Sequence, residues 1–516
     1  MSFSRTRTLS LLGAVLATVV VAGLPTPAGL TLAGQYALAT MTFAAVLWVT
    51  GALPLALTAL LVPVSLTVLG VYPSFAQSVA GFADPVVFLL LAGFVLAEAL
   101  QAHGIDRRVA LVVLVRFGTS ARGLVGGVMV ATALLSMVVS NTATVAMMVP
   151  IVLGIVDSVT DLTSADAAAD SDAAASNLQI AMLLGVAYAA SLGGVGTLVG
   201  TPPNAIVVGQ LDDLVGVEIS FVDWLAIGLP MVAVTLPVAW ALLTYVVYPP
   251  ESYDVSAARE TARERRSELG ALSPAAKRTV AVFVATAGLW LLGGFDFAFA
   301  GVLPTEWYVT VFGGDGANAL GTTGHEGVLF YVLVGVLAIP ALVVTGANEF
   351  DDLLDVDWGT LLLLGGGISL ANALKDTNAT AWLADVTLVA LGDAGIVVVL
   401  LSVVALVVLV GELASNTAMA AILAPLLVEV GPTYASALGT TNDLAAVLFA
   451  VTGAVAASYG FALPVATPPN AIVYGAGYVE REHMLRAGVL LDVVVVVLAT
   501  AMALLLGYTL WPIVLA

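Results

Sequence analysis

Apolar residues run through this chain in blocks matching the roughly 20 residues that a bilayer-crossing helix needs, with short polar connections between them. The blocks predict crossing helices near 9–24, 32–50, 54–71, 84–101, 178–211, 223–248, 279–294, 326–346, 358–374, 444–475 and 487–512. Two further stretches, 122–157 and 394–429, carry Ser-Asn-Thr near or beyond their middles and have room for two shorter helices each. Irregular backbone at membrane depth has to be buried in protein or line a cavity, so both are expected to be re-entrant hairpins. The predicted fold class is an all-α polytopic membrane protein, with about 11 transmembrane helices plus two re-entrant hairpins.

The polar interruptions are duplicated. Ser140-Asn141-Thr142-Ala143 recurs as Ser415-Asn416-Thr417-Ala418, and Thr201-Pro202-Pro203-Asn204-Ala205-Ile206-Val207 recurs letter for letter from Thr467 to Val473. Leu89–Leu100 also matches Leu363–Leu374 at seven of twelve positions, Gly93 with Gly367 among them. Apolar helices match one another cheaply, so the weight rests on the segment containing Pro-Pro-Asn. The expected organisation is a first repeat over 1–250 (hairpin 122–157, unwound helix 178–211) and a second over 279–516 (hairpin 394–429, unwound helix 444–475). The linker 251–278, with its mixed Arg and Glu, suits either an amphipathic helix near anionic lipid or an inert connector.

Basic residues orient the map. With the N-terminus cytoplasmic and the hairpins not crossing, 14 of the 15 Lys and Arg residues fall on the inner side and only Lys375 outside, as the positive-inside rule requires. The first hairpin then opens from the cytoplasm and the second from outside, making the halves inverted-topology repeats in a multi-pass plasma membrane protein. No small-x-small cleavage site follows the first apolar run before Gln35, so that run is expected to be a retained helix.

Composition narrows the chemistry. With 60% hydrophobic and 10% charged residues and a mean hydropathy of +1.08, the chain is no set of soluble domains, which carry about 25% charge. Cysteine is absent and only three His occur, which removes disulfides and thiolate metal sites and leaves little for a His-based centre. The net charge of −20 sits in connections such as that holding Asp157, Asp161, Asp166, Asp170 and Asp172, either a highly hydrated surface or a solvated loop without further role. An intramembrane enzyme needs a nucleophile with its base, or paired acids. No Ser-Lys, His-based or paired-Asp arrangement falls at predicted membrane depth, so no enzyme, covalent cofactor or nucleic-acid partner is expected.

Hydrogen bonding between helices would account for one Ser-Asn-Thr, but two copies, each coupled to a Thr-Pro-Pro-Asn break, point to a site. Proline removes an amide donor and glycine admits unusual dihedrals. Gly193, Gly194, Gly196 and Gly200 before Thr201, and Gly453, Gly460 and Pro464 before Thr467, should therefore unwind each long helix. Freed carbonyls suit a hard cation such as sodium, and half-helix N-termini suit a carboxylate. No Lys or Arg falls in the middle of a predicted span, so a dianion would meet no fixed positive charge. Carrying it inward against about 100 mV opposes roughly 2.3 kcal/mol per charge, which co-bound cations would offset.

These motifs resemble the divalent anion:sodium symporter family, the sodium-coupled di- and tricarboxylate carriers of the ion transporter superfamily. The resemblance covers nearly the whole chain and includes Phe82-Ala83-Asp84-Pro85 before the fourth helix. It implies a homodimer with a scaffold and a mobile transport domain, working by an elevator-type shift. It implies that Asn141, Thr142, Asn416 and Thr417 bind substrate carboxylates, aided by Thr201, Pro202, Thr467 and Pro468. It likewise implies one sodium site from Ser136, Ser140, Asn141 and carbonyls of the stretch holding Gly196 and Gly200, and a second from Ser415, Asn416 and carbonyls around Ala466. Gly411 departs from the pattern, since it stands where the family commonly has a hydroxyl and the first half keeps Ser136. Glu412 reads either as a proton-coupling carboxylate or as an acceptor that braces its hairpin. Asp84, Glu98 and His103 read as interfacial.

The expected activity is sodium-coupled symport of a small dianionic carboxylate of the succinate, malate and fumarate class. Sulfate or other oxyanion transport and proton-coupled or exchange transport are the alternatives.

Overall fold

The computed structural model of the protein describes residues 5–117, 120–164, 176–250, 256–391 and 394–514. Asp166, Asp170 and Asp172 lie outside the described residues. Among those described, the only β pairing is an isolated bridge between Gly314 and His325. Everything else regular is helical.

Three apolar helices, α1 (Arg5–Gly23), α2 (Leu32–Thr50) and α3 (Leu55–Val68), precede the single turn α4 (Phe75–Ser78). Next come α5 (Pro85–Ala102), α6 (Ile105–Phe117), α7 (Ala121–Ser136), α8 (Asn141–Ser164), α9 (Asn177–Gly194) and α10 (Pro202–Val215). α11 (Phe221–Ala241) runs on into a π-helical stretch, Leu242–Val247, before α12 (Ser256–Glu268), α13 (Pro274–Gly293), α14 (Thr305–Phe312) and α15 (Tyr331–Val344). The rest are α16 (Trp358–Asp376), α17 (Ala379–Leu391), α18 (Ile396–Gly411), α19 (Asn416–Val430), α20 (Ala435–Leu438), α21 (Asn442–Ala457), α22 (Pro468–Gly475), α23 (Arg481–Thr509) and α24 (Trp511–Val514).

Among the described residues, eight helical stretches are long and apolar enough to cross a membrane, and six shorter helices are also apolar. Leu9, Leu12, Leu16 and Val19 of α1 stand exposed, a surface that suits lipid and not water. The chain is therefore an all-helical multi-pass membrane protein. Both expected hairpins divide, α7 from α8 and α18 from α19, and both expected unwound helices break, α9 from α10 and α21 from α22. Among the described residues, three helices longer than a single turn arise in stretches expected to be connections: α6, α14 and α17. In α6 Arg108, one of the Arg side chains that masked the pattern, is used structurally. Arg108 donates to the Leu269 and Gly270 carbonyls, and Arg259 of α12 donates to Val115 of α6. The amphipathic helix expected in the linker is thus α12, docked on α6 and α8.

The described chain forms two compact units, each drawing on both sequence halves. The first comprises 1–87, 201–218 and 357–516, and the second 88–200 and 219–356. In the first unit α16 is the meeting point, because Gly365, Gly366 and Gly367 let three neighbours approach its backbone. A Cβ at these positions would meet Phe82, Ala59 and Ala421 respectively. This gives Phe82 of the Phe-Ala-Asp-Pro motif a packing role. α10 lies with α16, α19 and α21 in this unit. α21 is its innermost helix, buried at every residue from Ala445 to Ala457. In the second unit α9 holds that place, buried from Ile180 to Gly194 and packed on α7. Each unit thus has its most buried helix leading directly into a break.

At one end of the first unit, Asp84 accepts the Val86 amide at 2.8 Å and hydrogen-bonds Asp213, whose carbonyl takes Lys375 Nζ. Burial, then the charges of Asp213 and Asp212, push the Asp84 carboxyl from 3.8 up to about 7, against the Val86 amide. The folded group therefore holds its proton more tightly than the unfolded one. Its stabilising contribution is complete below the unfolded pKa of 3.8 and lost as pH rises through about 7. Thermal unfolding of the purified protein between pH 5 and 8 should show stability falling with pH, and Asp84→Asn, which keeps the amide acceptor, should flatten that fall.

Candidate functional site

The second unit carries the first set of expected site residues. Ser136 ends α7, fully buried, and its hydroxyl donates to the Ala190 carbonyl at 2.8 Å and to Asn141 Oδ1. Thr197 in the break after α9 donates to the Met137 carbonyl. Two hydroxyls therefore tie the 137–140 break to the 190–197 segment. Ser140 Oγ accepts the Ala143 amide at 3.3 Å and starts α8, whose first residue is Asn141. Backbone crowding demands glycine at Gly200, and side-chain ends crowd Gly194 and Gly196. A Cβ on Gly194 would lie 2.6 Å from Asn141 Oδ1, one on Gly196 2.8 Å from Met137 Cε, and one on Gly200 would strike the Gly194 carbonyl. Ser136 and Asn141 are thus brought to the 190–200 segment, with Ser140 next to Asn141 in the chain, while Thr142 beside them is exposed.

The donor set is hydroxyl, side-chain amide and backbone carbonyl oxygen. Hard neutral oxygens of this kind suit a monovalent cation better than a transition metal. No group of three or more His, Asp or Glu suited to a metal occurs among the described residues.

The first unit carries the remaining residues. Thr201 and Thr467 are buried caps of α10 and α22, each followed by Pro at the first helical positions. Proline is preset for a helix start and lacks only an amide that would be unpaired there. Thr467 accepts the Asn470 amide at 3.2 Å, whereas Thr201 and Ser415 make no side-chain capping bond. Thr31, Ser120, Ser220 and Thr441, at other helix starts, do make one. Asn416 opens α19 with Oδ1 buried and unpartnered, and Asn470 Oδ1 is likewise buried without a partner. Thr417 is half-buried, Pro202 half-buried and Pro468 exposed. A Cβ on Gly460 would touch Ala466, Glu412 and Gly411 at 3.4–3.9 Å, so these residues surround one point.

The break before α22 is held by Glu412, which reads from sequence as either a proton-coupling or a bracing carboxylate, and by Asp492 and Asn470, which sequence reasoning does not single out. Glu412, buried at 7% exposure, accepts the Ala462 amide at 2.9 Å and the Leu463 amide at 2.7 Å. Asp492 of α23 accepts the Phe461 amide at 3.2 Å and hydrogen-bonds Glu412. Asn470 Nδ2 donates to the Gly460 and Leu463 carbonyls at 3.1 and 3.0 Å. The signal for Asp492 was a lone acid in a valine run, and for Asn470 its place in the repeated motif. Of the residues read as interfacial, Asp84 caps α5 and His103 Nε2 contacts the Ala347 carbonyl at 2.9 Å.

Four helices of eight or more residues thus begin at repeated motifs, α8, α10, α19 and α22. Each start presents a positive dipole end, and the starts of α8 and α19, which carry no proline, add backbone amides, so that both features attract anions there.

Comparison with known proteins adds to the geometry. A family model described as the sodium:sulfate symporter transmembrane region matches residues 5–516. The chain is 33% identical over 471 residues to the sodium-dependent dicarboxylate transporter SdcS of Staphylococcus saprophyticus, covering 90% of this chain and 85% of that one. It is 31% identical to SdcS of Staphylococcus aureus strain USA300, covering 93% and 87%. Among solved structures, the Alcanivorax borkumensis transporter YdaH superposes with a TM-score of 0.53 at 16% identity, over 85% of this chain and 89% of its own. MtrF of Neisseria gonorrhoeae does so at 0.54 and 14%, over 98% and 96%. Both likenesses are of fold.

Proposed function

The chain belongs to the divalent anion:sodium symporter family of secondary membrane transporters, and from that premise we propose that it imports a small C4 dicarboxylate together with sodium. The observation that carries this is the pair of Ser-Asn-Thr sequences, each opening a helix directly after a break. Amide-rich helix starts suit the two carboxylates of a C4 diacid, and the neutral oxygens around Ser136 and Asn416 suit sodium. The relatives named sodium-dependent dicarboxylate transporters support both assignments.

In this reading Asn141, Thr142, Asn416 and Thr417, with Thr201, Pro202, Thr467 and Pro468, contact substrate. Ser136, Ser140, Asn141, Gly196 and Gly200 serve one sodium, and Gly411, Ser415, Asn416 and Ala466 the other. Two sodium ions per dianion make the cycle electroneutral, and a third makes it carry inward current. The residues 1–250 and 279–516 act as inverted repeats with the N-terminus cytoplasmic. A homodimer working by an elevator movement needs bodies that keep their own cores, and each compact unit has one.

Uptake of labelled succinate into proteoliposomes under an imposed sodium gradient tests the proposal, with malate, sulfate, citrate and arsenite as competitors. Accumulation should depend on sodium and be competed by malate. Uptake indifferent to sodium but driven by a pH gradient sinks the sodium coupling. Because the family description itself names sulfate, competition by sulfate with none by malate would transfer the assignment to the oxyanion.

A further inference from the structure

The two breaks are tied to their hairpin tips by different chemistry. In the second unit the ties are hydroxyl to carbonyl and run both ways, Ser136 of the tip donating to Ala190 near the end of α9 and Thr197 of the break donating to Met137. In the first unit the corresponding position is Gly411, which has no side chain. There the tip supplies a carboxylate and the segment supplies amides, since Glu412 accepts from Ala462 and Leu463. Asn470 meanwhile draws in the Gly460 and Leu463 carbonyls. Two consecutive amides and two carbonyls of this segment are thereby fixed in direction within a few residues of Gly411 and Ala466.

We infer that Glu412 is the positioning residue of the second cation site, doing through backbone amides what the Ser136 hydroxyl does in the first. This rests on the sodium coupling proposed above. The carboxylate orients the Gly460–Ala466 backbone so that carbonyls around Ala466, with the unpartnered Oδ1 atoms of Asn416 and Asn470, form the oxygen set. It also brings a negative charge beside a site whose own ligands are neutral. Two hydrogen-bond acceptors are required together. Glutamine at 412 offers one acceptor oxygen and turns an NH2 toward the other amide, leaving a buried donor unpaired.

The position also defines a rescue. A Cβ added at Gly411 would find the Tyr459 carbonyl at 3.5 Å, an ordinary contact, so Gly411→Ser fits and brings a hydroxyl within reach of that carbonyl. The arrangement of Ser136 with Ala190 would be rebuilt in the first unit.

The test uses the full chain and two readouts. One is the sodium-dependent rise in melting temperature over potassium at equal ionic strength without substrate, and the other is the sodium dependence of succinate uptake. Glu412→Gln should raise the half-saturating sodium concentration roughly tenfold or more, the size expected when a charged hydrogen bond is lost. The Hill coefficient should fall toward one, while uptake at saturating sodium stays near native. Adding Gly411→Ser to Glu412→Gln should recover part of the sodium affinity. A purely structural Glu412 would lower the melting temperature equally in both salts, with native sodium half-saturation, and that result overturns the inference. Should Glu412→Gln fail to fold, Glu412→Asp decides, because it keeps both acceptor oxygens but sets them one methylene short of the Ala462 and Leu463 amides: a raised sodium half-saturation with a near-native melting temperature in potassium supports the inference, and an unchanged half-saturation overturns it. Absence of any sodium response in the unsubstituted chain overturns the sodium coupling itself, a result distinct from a native response in the variant.

Discussion

Replacing Asn141 by alanine is expected to lower sodium-driven uptake by at least about a hundredfold while leaving a folded protein. Asn141 Oδ1 receives the Ser136 hydroxyl and lies against Gly194, and in the proposed site the same side chain meets both sodium and a substrate carboxylate. Contacts with charged partners are each worth about 1.5–3 kcal/mol, and tenfold in an equilibrium corresponds to about 1.4 kcal/mol, so losing two accounts for that factor. The fold should survive, because Asn141 starts α8 at a half-buried position and the Ser140 bond to Ala143 is untouched. Asn416→Ala is the matching experiment in the first unit, where Oδ1 has no internal partner to lose. Its stability cost should be the smaller of the two. Melting curves in potassium and uptake in sodium separate the effects, and uptake above a tenth of native in a folded Asn141→Ala would remove that residue from the site.

The helices were legible because a bilayer imposes a length and an apolar composition on anything that crosses it. The breaks were legible because Gly, Pro and a repeated Thr-Pro-Pro-Asn have few uses inside an apolar run. α6 and α17 escaped notice because their polar residues looked like connections. In α6 Arg108 serves carbonyls of the chain following α12, a long-range use that no local period records. For the same reason nothing in the sequence says that α10 packs with α16, α19 and α21. Glu412 could be recognised as an unusual acid, but its partners lie 50 and 51 residues away. Choosing between its proton-coupling and bracing readings needed those amides. Side-chain chemistry at the motifs was readable, and the backbone groups it meets were not.

Gly200→Ala is expected to disable the protein although it removes nothing. The added methyl would strike the Gly194 carbonyl, and Gly194 in turn abuts Asn141, so the strain passes along backbone that cannot rotate aside. Overpacking of this kind costs about 1–3 kcal/mol. The fold can absorb that cost by moving the 194–200 segment, and the proposed sodium site cannot, because its carbonyl oxygens belong to that segment. Sodium-dependent stabilisation should therefore vanish and uptake fall more than tenfold, with a melting temperature in potassium only a few degrees lower. Gly288→Ala is the control. It sits in α13 with nothing within 4 Å of the new methyl, and alanine in a helix interior gains about 0.5–1 kcal/mol over glycine, so stability should rise slightly with uptake intact. Native sodium response in Gly200→Ala would mean that the break tolerates a side chain, and the close approach of Gly200 to Gly194 would then have no part in holding the ion.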